Sequence, residues 1–168
     1  MTTQLTTGKF STTLKWLLTF FLASNCCIVS AVDEKDSRRM ITKEIGIPDL
    51  CIKAEIGGDV KIILVNSADN KLIFIGTEKN VNRTTIKVNK KTFTVNVPDK
   101  DNGPKTKVYI PVNLLEFIKI NGDAEIYSEE RINNTNLLIL LNGACFVNIK
   151  SQGTVTVKAD EGYELDNE

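Results

Sequence analysis

The chain has no histidine among its 168 residues. That absence removes Ser–His–Asp and Cys–His catalysis, imidazole metal sites and the commonest general base. Cysteine is nearly as scarce. Cys26 and Cys27 stand near the start, and Cys51 and Cys145 are at a spacing that makes no zinc site. No glycine-rich stretch is followed by the Lys-Ser/Thr and helix that a phosphate-cradling loop needs. Beyond residue 32 no apolar run approaches the ~20 residues of a membrane span. Acidic residues are missing altogether from Met1 to Val32.

That acid-free start has parts in a recognisable order. Lys9 and Lys15 make it positive, Trp16–Ala23 is a short apolar core, and Val29-Ser30-Ala31 is a small-residue cleavage site. Residues 1–31 therefore read as a secretory signal peptide cut between Ala31 and Val32. Asn25 stands where a lipid-modification site before Cys26 wants a small residue. The 21 Lys and Arg fall to 19 once Lys9 and Lys15 are set aside, against 21 Asp and Glu, a net charge of about −2. Both signs are interspersed, so no basic stripe exists to grip nucleic acid. An exported protein, periplasmic or at the cell surface, with no membrane span after signal removal, is the expectation.

What is present is one phrase written three times: apolar, any residue, Gly, two more residues, then an alternating strand. It occurs around Ile56-Gly57-Gly58-Asp59-Val60, Ile120-Asn121-Gly122-Asp123-Ala124 and Leu141-Asn142-Gly143-Ala144-Cys145. Asn-Gly between apolar runs is ordinarily a hairpin tip. A tight hairpin would set Ile120 against Asp123 and Ile118 against Glu125, mixing faces. If the chain bends at the glycine and runs on, Ile118, Ile120, Ala124 and Ile126 share one face. The glycine then marks a corner, and the second half resembles the stacked coils of a β-solenoid. Residues 71–112 look like hairpins, with Thr84–Val88 and Thr92–Val97 joined by a short turn. No window keeps a helical apolar period for three turns, so no helix is expected after the signal.

Few side chains offer chemistry. Asp59 and Asp123 hold equivalent corner positions and form the one carboxylate pair that a sugar-cleaving site could use. Asp beside Gly is also ordinary turn chemistry, and Ala144 breaks the series. No catalytic residue, metal site or cofactor is expected. Parity places Cys145 inward and Cys51 outward, which argues against a disulfide. Tyr127 and Phe146 both follow a corner and share outward parity, so they are the candidate binding residues for a sugar or a partner protein.

The signal-like start, Ile56–Val60, Lys107-Val108-Tyr109-Ile110-Pro111-Val112, Leu115–Ala124 and Leu141–Ala144 together resemble the putative auto-transporter adhesin, head GIN domain family, across about Ile45 to Ala159. The resemblance implies exported bacterial proteins with a right-handed parallel β-helix and a role in adhesion. The expected layout is a signal peptide at 1–31, a charged lead-in at 32–44 and a single all-β domain at 45–168. Its partner would be an unknown surface glycan or protein. A carboxylate-dependent polysaccharide lyase or hydrolase and a purely structural envelope protein are the rival readings.

Overall fold

Strand-forming runs, separated mostly by short turns, set the architecture. A computed structural model describes residues 39–98, 103–159 and the backbone of 163–165, all within the compact unit Lys35–Glu168. The cleavage site at Ala31 and Val32 lies outside the described residues. Among the described residues thirteen strands are formed: β1 (Met40–Gly46), β2 (Lys53–Gly57), β3 (Val60–Val65), β4 (Lys71–Thr77), β5 (Thr85–Asn89), β6 (Thr92–Asn96) and β7 (Thr106–Pro111), then β8 (Phe117–Asn121), β9 (Ala124–Ser128), β10 (Asn136–Asn142), β11 (Cys145–Asn148), β12 (Thr154–Ala159) and β13 (Tyr163–Leu165). One sheet has the order β1-β4-β7-β3-β9-β11-β13, the other β12-β10-β8-β2-β6-β5.

Both sheets are mixed, which overturns the expected right-handed parallel β-helix. Strand β4 runs antiparallel to β1 on one side and to β7 on the other, and β5 runs antiparallel to β6. The reason lies in the reversals at 66–70 and 89–91. They send the chain back along the same sheet, whereas a coil must cross to the next. Among the named strands, parallel pairing is confined to β2, β3 and β6–β13, where β8 and β10 register as Ile118↔Ile139 and Ile120↔Leu141.

The glycine corners connect the two sheets. Strands β2, β8 and β10 end at such a corner in one sheet, and β3, β9 and β11 begin after it in the other. Gly58, Gly122 and Gly143 have φ of +100°, +128° and +135°, a region costly for any residue with a Cβ. They also stack: a Cβ on Gly143 would lie 2.4 Å from the Gly122 carbonyl oxygen. The Gly122 N–H donates to the Asn142 carbonyl at 2.9 Å, tying successive corners together.

One core lies between the sheets. Ala54, Ile56, Ile118, Ile120, Ile139 and Leu141 from one sheet meet Val60, Ile62, Ala124, Ile126, Cys145 and Val147 from the other. Alternation with period two sends these side chains inward, and burying each Val, Ile or Leu among them is worth about 1.5–3 kcal/mol. Ile149, Val155 and Val157, near the last strands, are only partly buried.

Two further features differ from expectation. A six-residue helix, α1 (Glu78–Arg83), follows β4, with Thr77 as its N-cap and Glu78 in its first turn. It is too short for an apolar period to announce it. Cys51 is buried, 2% exposed. It precedes β2 and donates its N–H to the Pro48 carbonyl, so strand parity does not govern it. Both described cysteines are free thiols.

Candidate functional site

The outward positions of the larger sheet, not the core, carry unusual chemistry. Pairing aligns them in two rows. Ile75 of β4, Lys107 of β7, Lys61 of β3, Glu125 of β9 and Phe146 of β11 form one. Ile73, Tyr109, Ile63, Tyr127 and Asn148 form the next. An aliphatic and aromatic surface thus crosses five strands. Ile63 faces outward yet is only 3% exposed, between Tyr109 and Tyr127 in the row.

The two residues singled out from the sequence meet here. The Tyr127 and Phe146 rings are 5.5 Å apart between centroids, tilted at 41°. Lys61 places its ammonium 4.3 Å from the Tyr127 ring centroid, a cation–π contact. The Tyr127 hydroxyl donates to Glu125 Oε2 at 3.3 Å.

Beside the rings lies an ionic cluster. Lys105 Nζ is 2.9 Å from Asp59 Oδ1 and 3.1 Å from Glu125 Oε1. Lys61 Nζ is 3.7 Å from Glu125. Burial works against the Glu125 carboxylate, but the hydrogen bond and charge of Lys105, the Lys61 charge and the Tyr127 hydroxyl outweigh it and hold its pKa below the usual value. Burial likewise opposes the Lys105 ammonium, yet hydrogen bonds and charges from Asp59 and Glu125 hold its pKa above normal. Burial, then the charge and hydrogen bond of Glu125, push the Tyr127 phenol up.

The two corner carboxylates have structural partners. Asp59 belongs to the Lys105 cluster. Asp123 Oδ1 accepts from the Ala144 N–H at 3.2 Å, capping the next corner. Among the described residues no cluster of three or more His, Cys, Asp or Glu side chains is placed to hold a metal ion. Nor is any helix among them long and apolar enough to cross a membrane.

Sequence reasoning missed two features. Tyr109 joins the aromatic row because β7 pairs with β3 across more than forty residues of chain, and parity within β7 alone does not reveal that neighbour. The second is an open groove of about 790 Å³ at the other sheet, lined by residues including Ile52, Leu114, Asn136, Leu138, Thr156 and Lys158. It includes neither Tyr127 nor Phe146.

A two-sheet all-β domain with stacked glycine corners and an aromatic outer face defines the class. Residues 52–165 match the family described as Putative auto-transporter adhesin, head GIN domain, and the chain belongs to that family. No curated protein matches it. The fold is similar to that of a putative adhesin from Bacteroides fragilis, with a TM-score of 0.58 and 17% identity over 77% of this chain and 62% of the other. A putative adhesin from Parabacteroides merdae aligns with a TM-score of 0.55 and 16% identity, over 72% of this chain and 52% of that one. A putative lipid binding protein from Parabacteroides distasonis aligns at 0.50 and 15% identity, over 76% and 60%. The chain thus spans between half and two thirds of the length of these structures.

Proposed function

We propose that the protein is an exported, non-enzymatic binding or adhesion module of the bacterial cell envelope, periplasmic or displayed at the cell surface. Its outer sheet face holds a surface glycan or protein, with Tyr127 and Phe146 as contacts. The observation that carries this reading is the set of tyrosines, Phe146 and isoleucines that two adjacent rows place on the outward positions of five neighbouring strands. Contiguous apolar surface rimmed by charge is the usual mark of an interaction site. Membership of an adhesin family supports the same reading. So does the engagement of Asp59 and Asp123 in structural contacts, which leaves the corner carboxylates without the open pair that hydrolysis needs.

Glycan-array retention and reducing-sugar release, measured on one sample, test this. Retention without release supports a binding module. Sugar release abolished by Asp123→Asn overturns it in favour of an enzyme. Export is tested separately by mass spectrometry of the mature protein: a start at Val32 is expected, and a lipidated Cys26 or Cys27 refutes it.

A further inference from the structure

We infer that the outer face of the larger sheet selects an acidic polysaccharide, whose sugar rings lie across the strands on Tyr109 and on the Tyr127–Phe146 pair, with a carboxylate held by Lys107. The inference rests on the reading above that this face is the binding face, and it adds the chemical class of the ligand.

Several groups on this face are already engaged. Tyr127 and Phe146 are packed on each other at one end of the face, and Lys61 lies over the Tyr127 ring. Tyr109, half-buried, makes no ring or cation contact among the described residues and lies between Ile63 and Ile73 in the row. Its ring is therefore the available platform on this side of the face. Order β7-β3-β9-β11 and the two-residue offset between rows put Tyr109 and Phe146 about 16 Å apart. A short run of extended sugar rings spans that distance, and aromatic faces suit the apolar side of a sugar ring.

Charge then selects among glycans. Lys105 is shared by Asp59 and Glu125, and Lys61 reaches Glu125. Lys107 is exposed, has no carboxylate partner among the described residues, and registers directly against Lys61 on the neighbouring strand. Like charges placed directly opposite repel, and a ligand carboxylate beside them relieves that repulsion. At the Lys107 end of the face these three lysines exceed the two carboxylates by one charge, while at the far end Glu164 of β13 registers against Phe146. A single surplus cation suits widely spaced uronate carboxylates, whereas a phosphate polymer needs a basic stripe.

The test is titration calorimetry of the full chain with a short oligogalacturonate and with its methyl ester, which keeps the rings and removes the charge. The acid form should bind about fivefold more tightly than the ester, and the difference should shrink as salt rises. Lys107→Gln should erase that difference and leave ester binding unchanged. Tyr109→Leu should weaken both forms about tenfold, while Tyr109→Phe retains them. Lys119→Gln, on the other sheet, should change neither. Equal binding of acid and ester, or a silent Lys107→Gln, overturns the inference. Binding of neither form, with array retention still present, also overturns it and leaves the binding module standing. Loss of both retention and titration removes the two together.

Discussion

Gly143→Ala is the sharpest probe of the stacked corners. At φ +135° an alanine is strained, at about 1–3 kcal/mol. Its Cβ would also lie 2.4 Å from the Gly122 carbonyl oxygen and 2.8 Å from the carbonyl carbon. Gly122 cannot easily retreat, because its N–H is bonded to Asn142 and its own Cβ position is 2.9 Å from the Gly58 oxygen. Relief must stretch a corner hydrogen bond, costing about another 1 kcal/mol. The expected loss is about 2–4 kcal/mol, a large share of the 5–15 kcal/mol typical of a domain. Gly46→Ala is the control, since nothing lies within 4 Å of its Cβ position, and it should be neutral or stabilise by about 0.4–1 kcal/mol. Urea unfolding at constant m-value reads both. A Gly143→Ala midpoint matching the parent, or equal damage from Gly46→Ala, would refute the reasoning.

Three further outcomes are expected. Ile120 is fully buried, so Ile120→Asp should cost several kcal/mol, while Lys119→Asp, half-buried on the outer face, should cost under about 0.5 kcal/mol by thermal unfolding. Lys105→Met should cost about 1 kcal/mol or less near neutral pH, discounted for partial exposure. Glu125, with its lowered pKa, contributes above the usual carboxylate range and loses this as pH falls through its own value. Lys105, with its raised pKa, contributes below the usual lysine value and loses this as pH rises through its own. The stability gap between parent and Lys105→Met should therefore close at both extremes of a pH series. Burial raises the thiol pKa of both Cys51 and Cys145, so peptide mapping after iodoacetamide should find them unlabelled in native buffer and labelled in urea.

Features governed by neighbouring residues were legible in the sequence. Parity around Asn121-Gly122 and Asn142-Gly143 identified corners and most inward residues, because each constraint spans under ten residues. The β5–β6 hairpin was legible for the same reason. What escaped depends on distant pairing. Strand β4 alternates like any other, and nothing local says that it inserts antiparallel between β1 and β7, so the regular coil expected from the corners was wrong. Tyr109 escaped likewise, since its partner Ile63 belongs to another part of the chain. Helix α1 was missed because six residues hold no period, although Thr77-Glu78 is a fair N-terminal signal. That Tyr127 and Phe146 share an outer face was legible because adjacent corners carry them at the same parity, two residues apart in register.

The central claim is that the outer face of the larger sheet does the binding. The most direct test compares retention of protein-coated beads on envelope glycan and envelope protein surfaces for two folded variants of the full chain. Tyr127→Ser/Phe146→Ser alters the larger sheet's outer face, and Leu138→Ser/Leu140→Ser alters the outer face of the smaller sheet. The first should lose retention and the second keep it. Retention that survives the first change and disappears with the second would contradict the claim and move binding to the groove beside Leu138.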